Sequence, residues 1–384
     1  MKRPRPNGWN AEVDKSAPFG LRRRSNRRVG LAAGLDEVSA LFYNRRMKKL
    51  FVPILLLVTM IPFRAQTQQS SGTLAAFLSK QGLAGAKLER RFGNHLFVPI
   101  SINNRNGALM IDTGSPVTVI DTNSANTFGL TVEKTGENVG GLFGRSWERY
   151  GTSKVASIAM GNCVLTNVPV AISDISGMNI DISGPSTGSH LAGAPKMAHL
   201  NGILGTREMD KFGMIIDCTR QMLYVNPNGP SSAVSRNVAG FFLTRRFTQI
   251  PMRLNANYHF DVDGAINGHS TRFIVDTGSG TTLIDKQTAV KAGVSPAAVE
   301  GMAAGGAGGL AERSSGASIK DLAIGGFRIA NAEVEVAHVS GEILHSKSDE
   351  ESNAGVLGIE YLSKNFAVID MGGKALYLRH PDSR

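Results

Sequence analysis

Two acidic residues stand out because each is set in the same four-residue frame, Asp-Thr-Gly-Ser, at residues 112–115 and again at residues 276–279. Aspartate supplies a carboxylate, threonine and serine supply hydroxyls, and glycine lets the backbone turn tightly and expose amides that a Cβ would obstruct. Two carboxylates at close range cannot both stay ionised, so one keeps a proton and acts as acid while the other acts as base. The candidate site is therefore Asp112 and Asp276, supported by Thr113, Gly114 and Ser115 in one frame and by Thr277, Gly278 and Ser279 in the other.

The frames are the best-matched part of a longer internal repeat. The first follows the apolar run Ala108, Leu109, Met110, Ile111, and the second follows Phe273, Ile274, Val275, so each marks the end of a buried strand. With the aspartates in register, His95 matches His259, Val98 matches Val262, Ile102 matches Ile266 and Asn103 matches Asn267. Downstream, Thr118 matches Thr282, Ile120 matches Ile284, Asp121 matches Asp285, Ala125 matches Ala289 and Gly129 matches Gly293. Two like units about a pseudo-twofold axis would bring the carboxylates together at a shared face.

The elements that must position them follow from the pattern. A short helix is expected around Leu74 to Lys80. Alternating Leu96, Val98, Ile100 and Ile102, then a turn at Asn103 to Gly107, read as a hairpin leading into the Asp112 strand. Asp121 and Asp285 read as caps of short helices closing at Gly129 and Gly293, structural rather than catalytic. Glycine-rich tips at Val139 to Gly144 and Ala304 to Gly309 suggest one covering flap per half, carried by Gly140, Gly141, Gly305 and Gly306; a plain surface loop is the other reading, above all for the second. Strands are expected at residues 155–164 and 168–175, and at 319–329 and 332–339. Each half then repeats an apolar-apolar-Gly element, Gly202-Ile203-Leu204-Gly205 and Gly355-Val356-Leu357-Gly358. Residues 226–236, rich in Pro, Gly, Asn and Ser, read as a linker between a first lobe at 91–225 and a second at 237–384, with a lead-in at 66–90.

A chain of 384 residues with 44 glycines is long enough for two lobes and points to a turn-rich, β-heavy protein. The formal net charge of +11 raises the question of a nucleic-acid partner. Its location answers that question: residues 1–46 hold 11 Lys and Arg against 4 Asp and Glu, and Lys48, Lys49 and Arg64 add three charges, so residues 66–384 carry only +1. Met47 opens Met-Lys-Lys, an apolar run from Leu50 to Phe63, and Ala65, the layout of a secretory signal peptide at residues 47–65. Residues 1–46 are then an untranslated upstream stretch, or else a basic tail on a signal anchor, the membrane contact expected of this chain; the arginine pairs lack twin-arginine flanks. Cys163 and Cys218 match Phe327 and Met371 in the other half and read as small core residues, with a disulfide as the second reading. His190, His199 and His345 have no metal-ligand spacing, and no metal or cofactor is expected.

A strand ending in Asp-Thr-Gly-Ser, with two apolar residues and Gly following at about a flap's length, occurs twice in order over residues 95–380. In this the chain resembles the aspartic proteases of the pepsin and retropepsin superfamily, most closely exported two-repeat proteins with retropepsin-like halves. The resemblance implies an all-β bilobal fold, two similar β-barrel-like lobes with short helices. It implies Asp112 and Asp276 as catalytic residues activating a water, hydroxyls of Thr113 and Thr277 cross-linking the loops, and peptide or unfolded protein as substrate. Ser115 and Ser279 are expected to donate to the outer carboxylate oxygens, which favours ionisation and an acidic optimum. The chain departs from pepsins in lacking an evident flap tyrosine, for which Trp147 and Tyr150 are candidates, and in lacking their disulfides and an obvious propeptide.

Two functions are carried forward, an exported endopeptidase and a non-catalytic module that binds extended peptides by strand addition. Both halves lie on one chain, so a monomer suffices.

Overall fold

The computed structural model describes residues 72–91, 94–140, 146–176, 180–181, 197–198, 200–296, 303–306, 309–339 and 353–381. In the first half, the alternating apolar residues lie on strand His95–Ile102, which turns back into Arg105–Ile111. The turn is tighter than the sequence suggests: only Asn103 and Asn104 form it, both at positive φ, and residues 105–107 already belong to the strand. The second half does the same with Phe260–Ile266, a turn at Asn267 and Gly268, and His269–Val275.

Each hairpin belongs to a sheet that closes on itself. The first sheet has eight strands and closes where Ser101 and Ile102 pair with Ala159 and Ile158. The second has seven and closes where residues 264–266 pair with residues 322–324. In each, the apolar-apolar-Gly strand threads between the arms of the aspartate loop. Gly202–Leu204 runs parallel to the strand entering the loop and antiparallel to Val119–Asp121 leaving it, and Asn353–Leu357 repeats this between His269–Val275 and Leu283–Asp285. The architecture is thus two-lobed and mostly β, with short helices, as the repeat implies.

A third sheet joins the halves, in the order Ala84–Lys87, Met222–Val225, Ile215–Asp217, Val368–Asp370, Ala375–Leu378, Thr248–Pro251. Its centre is Ile216 opposite Ile369, so the pseudo-twofold axis passes between equivalent residues. One face, with Ile216, Leu223, Ile369 and Leu376, joins the core shared by both lobes. The other, with Ile215, Tyr224, Val368 and Tyr377, is covered by helices Leu74–Lys80 and Ser232–Leu243. Part of the expected linker is therefore helix: Val234, Val238, Phe241 and Phe242 lie at helical spacing, and Phe242 stacks on Tyr377 with ring centroids 4.5 Å apart.

The capping aspartates behave as expected. Asp121 accepts from the amides of Asn123 and Ser124 and Asp285 from that of Gln287; the first helix closes at Gly129 in the left-handed region, while the second ends at Ala292, one residue before Gly293. Cys163 and Cys218 are free and buried, as are their counterparts Phe327 and Met371. The basic segment, the apolar run from Leu50 to Phe63 and His190, His199 and His345 lie outside the described residues. Among the described residues no helix is long and apolar enough to cross a membrane.

Candidate active site

Each aspartate stands at the first residue after a buried strand, where the chain must turn and its amides are released from sheet pairing. The turns are locked to each other across the axis. Thr113 Oγ1 donates to the Val275 carbonyl at 2.7 Å and accepts from the Thr277 amide at 3.0 Å. Thr277 Oγ1 donates to the Ile111 carbonyl at 2.7 Å and accepts from the Thr113 amide at 3.1 Å. Each hydroxyl thus joins the two loops by both of its functions while fully buried, where an unmade bond costs about 1–3 kcal/mol.

The crossing brings the acids together. The Asp112 and Asp276 carboxyl groups are hydrogen-bonded to each other. Each loop's glycine lies against the opposite acid: a Cβ on Gly114 would fall 2.5 Å from Asp276 Cγ, and one on Gly278 would collide with the Asp112 carboxylate. That close approach is why both positions are glycine. The amides answer the charge, Gly114 donating to Asp112 Oδ1 at 2.8 Å, and Gly278 and Ser279 donating to Asp276 Oδ1 at 2.8 and 3.1 Å. Burial pushes the Asp112 carboxyl well above its ordinary range, and the neighbouring Asp276 charge pushes it further. Burial also raises Asp276, opposed by the amides and by the bond from Asp112. The pair therefore retains one proton where separate aspartates would have lost both.

The serines depart from expectation. Ser115 Oγ donates to the Val117 carbonyl at 3.0 Å and Ser279 Oγ to the Thr281 carbonyl at 2.8 Å. Each hydroxyl closes its own turn; in the second loop the serine meets the carboxylate through its backbone amide instead, while in the first the Ser115 amide donates to the Asp112 main-chain carbonyl at 3.3 Å. The serine hydroxyls therefore supply no reason for an acidic optimum.

Beneath each loop lies a layer to which the sequence pattern alone assigned no role. The amide after each threading strand, Gly205 or Gly358, donates to Thr118 Oγ1 at 3.1 Å or Thr282 Oγ1 at 2.9 Å. Thr118 in turn donates to Glu208, and the Thr282 amide donates to Glu360. Both glutamates sit in the first turn of a short helix, where the N-terminal amides favour an acid. Thr206 Oγ1 further donates to the Thr113 carbonyl at 2.9 Å. The matched Thr118 and Thr282, each with a glutamate soon after its Leu-Gly, were the available signal.

The flap glycines fall on hairpins. Gly140 ends strand Glu133–Gly140, paired with Ser146; Gly305 and Gly306 pair with Leu310 and Gly309 in a separate two-stranded hairpin; Gly141 lies outside the described residues. Trp147 pairs with Val139, and Tyr150 falls at a bulge between Arg149 and Gly151. Among the described residues, no three of His, Cys, Asp and Glu are placed to hold a metal ion.

A family model described as aspartyl protease matches residues 98–206 and 262–361, more than half of the chain and one stretch per half. No curated protein matches. Among solved structures, the chain is similar to the aspartic proteinase from Irpex lacteus, at 14% identity and TM-score 0.43, over 78% of this chain and 98% of that one. It is also similar to Basic 7S globulin from soybean, at 10% identity and TM-score 0.41, over 77% and 94%.

Proposed function

This chain belongs to the aspartyl protease family, and from that premise we propose that it is an exported endopeptidase hydrolysing peptide bonds with a water activated between Asp112 and Asp276. The observation that carries the reading is the facing, mutually hydrogen-bonded pair of carboxyls, each held by amides. With one shared proton, the ionised member takes a proton from the water as it attacks the scissile carbonyl. The protonated member gives its proton to the carbonyl oxygen. The tetrahedral species then collapses: the C–N bond breaks, the amine leaves with the proton the first aspartate took from the water, and the second aspartate regains a proton from a hydroxyl of that species as the carbonyl re-forms. Thr113 and Thr277 lock the two loops to each other, and Gly114 and Gly278 leave room for the acids to meet.

Export rests on the charged, apolar and small-residue layout of residues 47–65. A cleft that only binds peptide has no use for two complete loops with amides aimed at both acids. Because the pair keeps its proton above the ordinary carboxylate range, kcat/KM follows a bell in pH, falling on the alkaline side as that proton is lost. The test is cleavage of an unfolded protein across pH, with and without pepstatin, for the wild type and Asp112→Asn. Pepstatin-sensitive cleavage absent from the variant supports the proposal; a wild type that binds peptide without cutting it, or kcat/KM rising steadily to pH 8, overturns it.

A further inference from the structure

The two helices that cover the joining sheet are bound to each other as one layer. Phe77 of Leu74–Lys80 stacks on Phe241 of Ser232–Leu243 with ring centroids 4.5 Å apart, and the Asn237 side-chain amide donates to Gln81 Oε1 at 2.8 Å. Lys80 and Arg236, both exposed, are the chain neighbours of that bonded pair and so flank the seam between the helices.

The charge of the layer is of one sign. Residues 66–88 and 226–252, which supply the helices and their flanks, hold five Lys and Arg and no Asp or Glu. Residues 66–384 carry only +1 in all, which leaves −4 for the remainder. The acids of the joining sheet, Asp217 and Asp370, are buried, and Asp217 is paired with Arg220. Apolar surface lies among the bases. Arg236, Gly240 and Leu243 fall at i, i+4 and i+7 on one exposed face of the longer helix, and Leu243 is 55% exposed. The shorter helix exposes Ala75, Ala76, Ser79 and Lys80, so its surface is low around a single base.

We propose that this helical layer docks the protein on a membrane surface of anionic phospholipid, with Lys80 and Arg236 at the headgroups and Leu243 at the acyl boundary. Bases near such a surface are attracted to it, and an exposed apolar side chain among them gains by entering the interface. Leu243 favours lipid over nucleic acid, which has no acyl boundary to receive it. The apolar run expected to meet a membrane ends at Phe63, ten residues before the helix cap Thr73, so the layer is the first described element that follows it in the chain. The other face of the joining sheet belongs to the core shared by both lobes, which includes Ile111 and Val275, the residues before the two acids. Lipid on the helical side therefore leaves the carboxyl pair on the side away from the membrane. The inference does not depend on the catalytic reading of that pair.

Thr67–Arg384 make one compact unit, so the experiment uses the chain from Gln66 onward, free of the basic segment and the apolar run. Vesicles of phosphatidylcholine mixed with phosphatidylglycerol should sediment it, vesicles of phosphatidylcholine alone should not, and raising salt from about 0.1 M to about 0.5 M should release it. The double variant Lys80→Gln with Arg236→Gln should bind at least about tenfold more weakly. Lys154→Gln with Lys291→Gln, exposed bases outside the layer, should change binding less than about twofold. A fluorophore on Leu243→Cys should be quenched by brominated lipid and one on Val290→Cys, 76% exposed in the second lobe, should not; Cys163 and Cys218 are buried and stay unlabelled. The inference is overturned by equal binding to both kinds of vesicle or to neither, by equal losses in the two double variants, by quenching at Val290 and not at Leu243, or by duplex DNA binding as tightly as the mixed vesicles.

Discussion

The two halves share the backbone bonds that hold the carboxyl pair and differ in how several of the groups around them are satisfied. Both have the crossed threonine hydroxyls, the threading strand and the amide donors. Yet the first half anchors its threonine to Glu208 in the third helical position and the second to Glu360 in the second position. Thr206 braces the first loop, while the matching residue after Gly358 is the apolar Ile359. Asp217 is paired with Arg220 at 3.1 Å, whereas its counterpart Asp370 leaves Oδ2 buried without a partner. The first flap strand is continuous with its lobe's sheet and the second is a separate hairpin. What survived duplication is the geometry at the axis, where one half's error displaces the other half's acid. Away from the axis each half needs only to be internally satisfied.

The equivalence of the halves is tested most severely at the acids. Asp112→Asn and Asp276→Asn should each lower kcat/KM by at least about a thousandfold, since each removes one partner of a shared acid-base step. A variant keeping a tenth of wild-type activity would show that the halves are not catalytic equals. At neutral pH the same variants should melt higher. The native pair holds a proton that the unfolded chain releases near pH 4, so stability falls as pH rises from there through the raised native range. Asparagine removes that fall, and melting curves from pH 4 to 8 would read it.

Next come the glycines: Gly114→Ala and Gly278→Ala should each cost about 1–3 kcal/mol from overpacking, with loss of most activity, measured by urea unfolding and kcat. Thr113→Val and Thr277→Val, which keep shape but orphan an amide and a carbonyl, should each cost about 2 kcal/mol. Nearly equal costs would show that the Thr206 brace adds little.

The smallest effects test where the halves part. Burial raises Asp370 to about 6, so this group destabilises the fold as pH climbs from about 4 to about 6 and above. Asp370→Asn should therefore stabilise at pH 8, by about 1–3 kcal/mol. Asp217→Asn should destabilise instead, because it gives up bonds from the Arg220 amide and guanidinium. Arg220→Ala, at a largely exposed side chain, should cost less than about 1 kcal/mol. Same-signed shifts for the two aspartates in thermal melts would sink the contrast.

Much of this is legible from local pattern. The repeat in register, the strand ends before Asp112 and Asp276, the helix at Leu74–Lys80 and the capping roles of Asp121 and Asp285 all depend on residues close in sequence. The serine hydroxyls escape such a reading because a hydroxyl two residues from a free carbonyl closes its own turn first, a competition that composition cannot reveal. The helix at Ser232–Leu243 is hidden behind the turn-forming run Asn226 to Ser231, with its prolines at 227 and 230, that precedes it. Its reason for being is an apolar sheet face assembled from both halves.

Strand periodicity and the Asp-Thr-Gly-Ser frame are local properties, so the amino-acid order was enough to establish that two identical turns end two buried strands. It took the folded molecule to establish that each turn is completed by the other half: which threonine bonds to which carbonyl and which glycine lies on which acid. The threonine bonds join residues more than 160 apart in the chain. Their partners are set by the central sheet that docks the halves about the axis, and no short-range pattern encodes that docking.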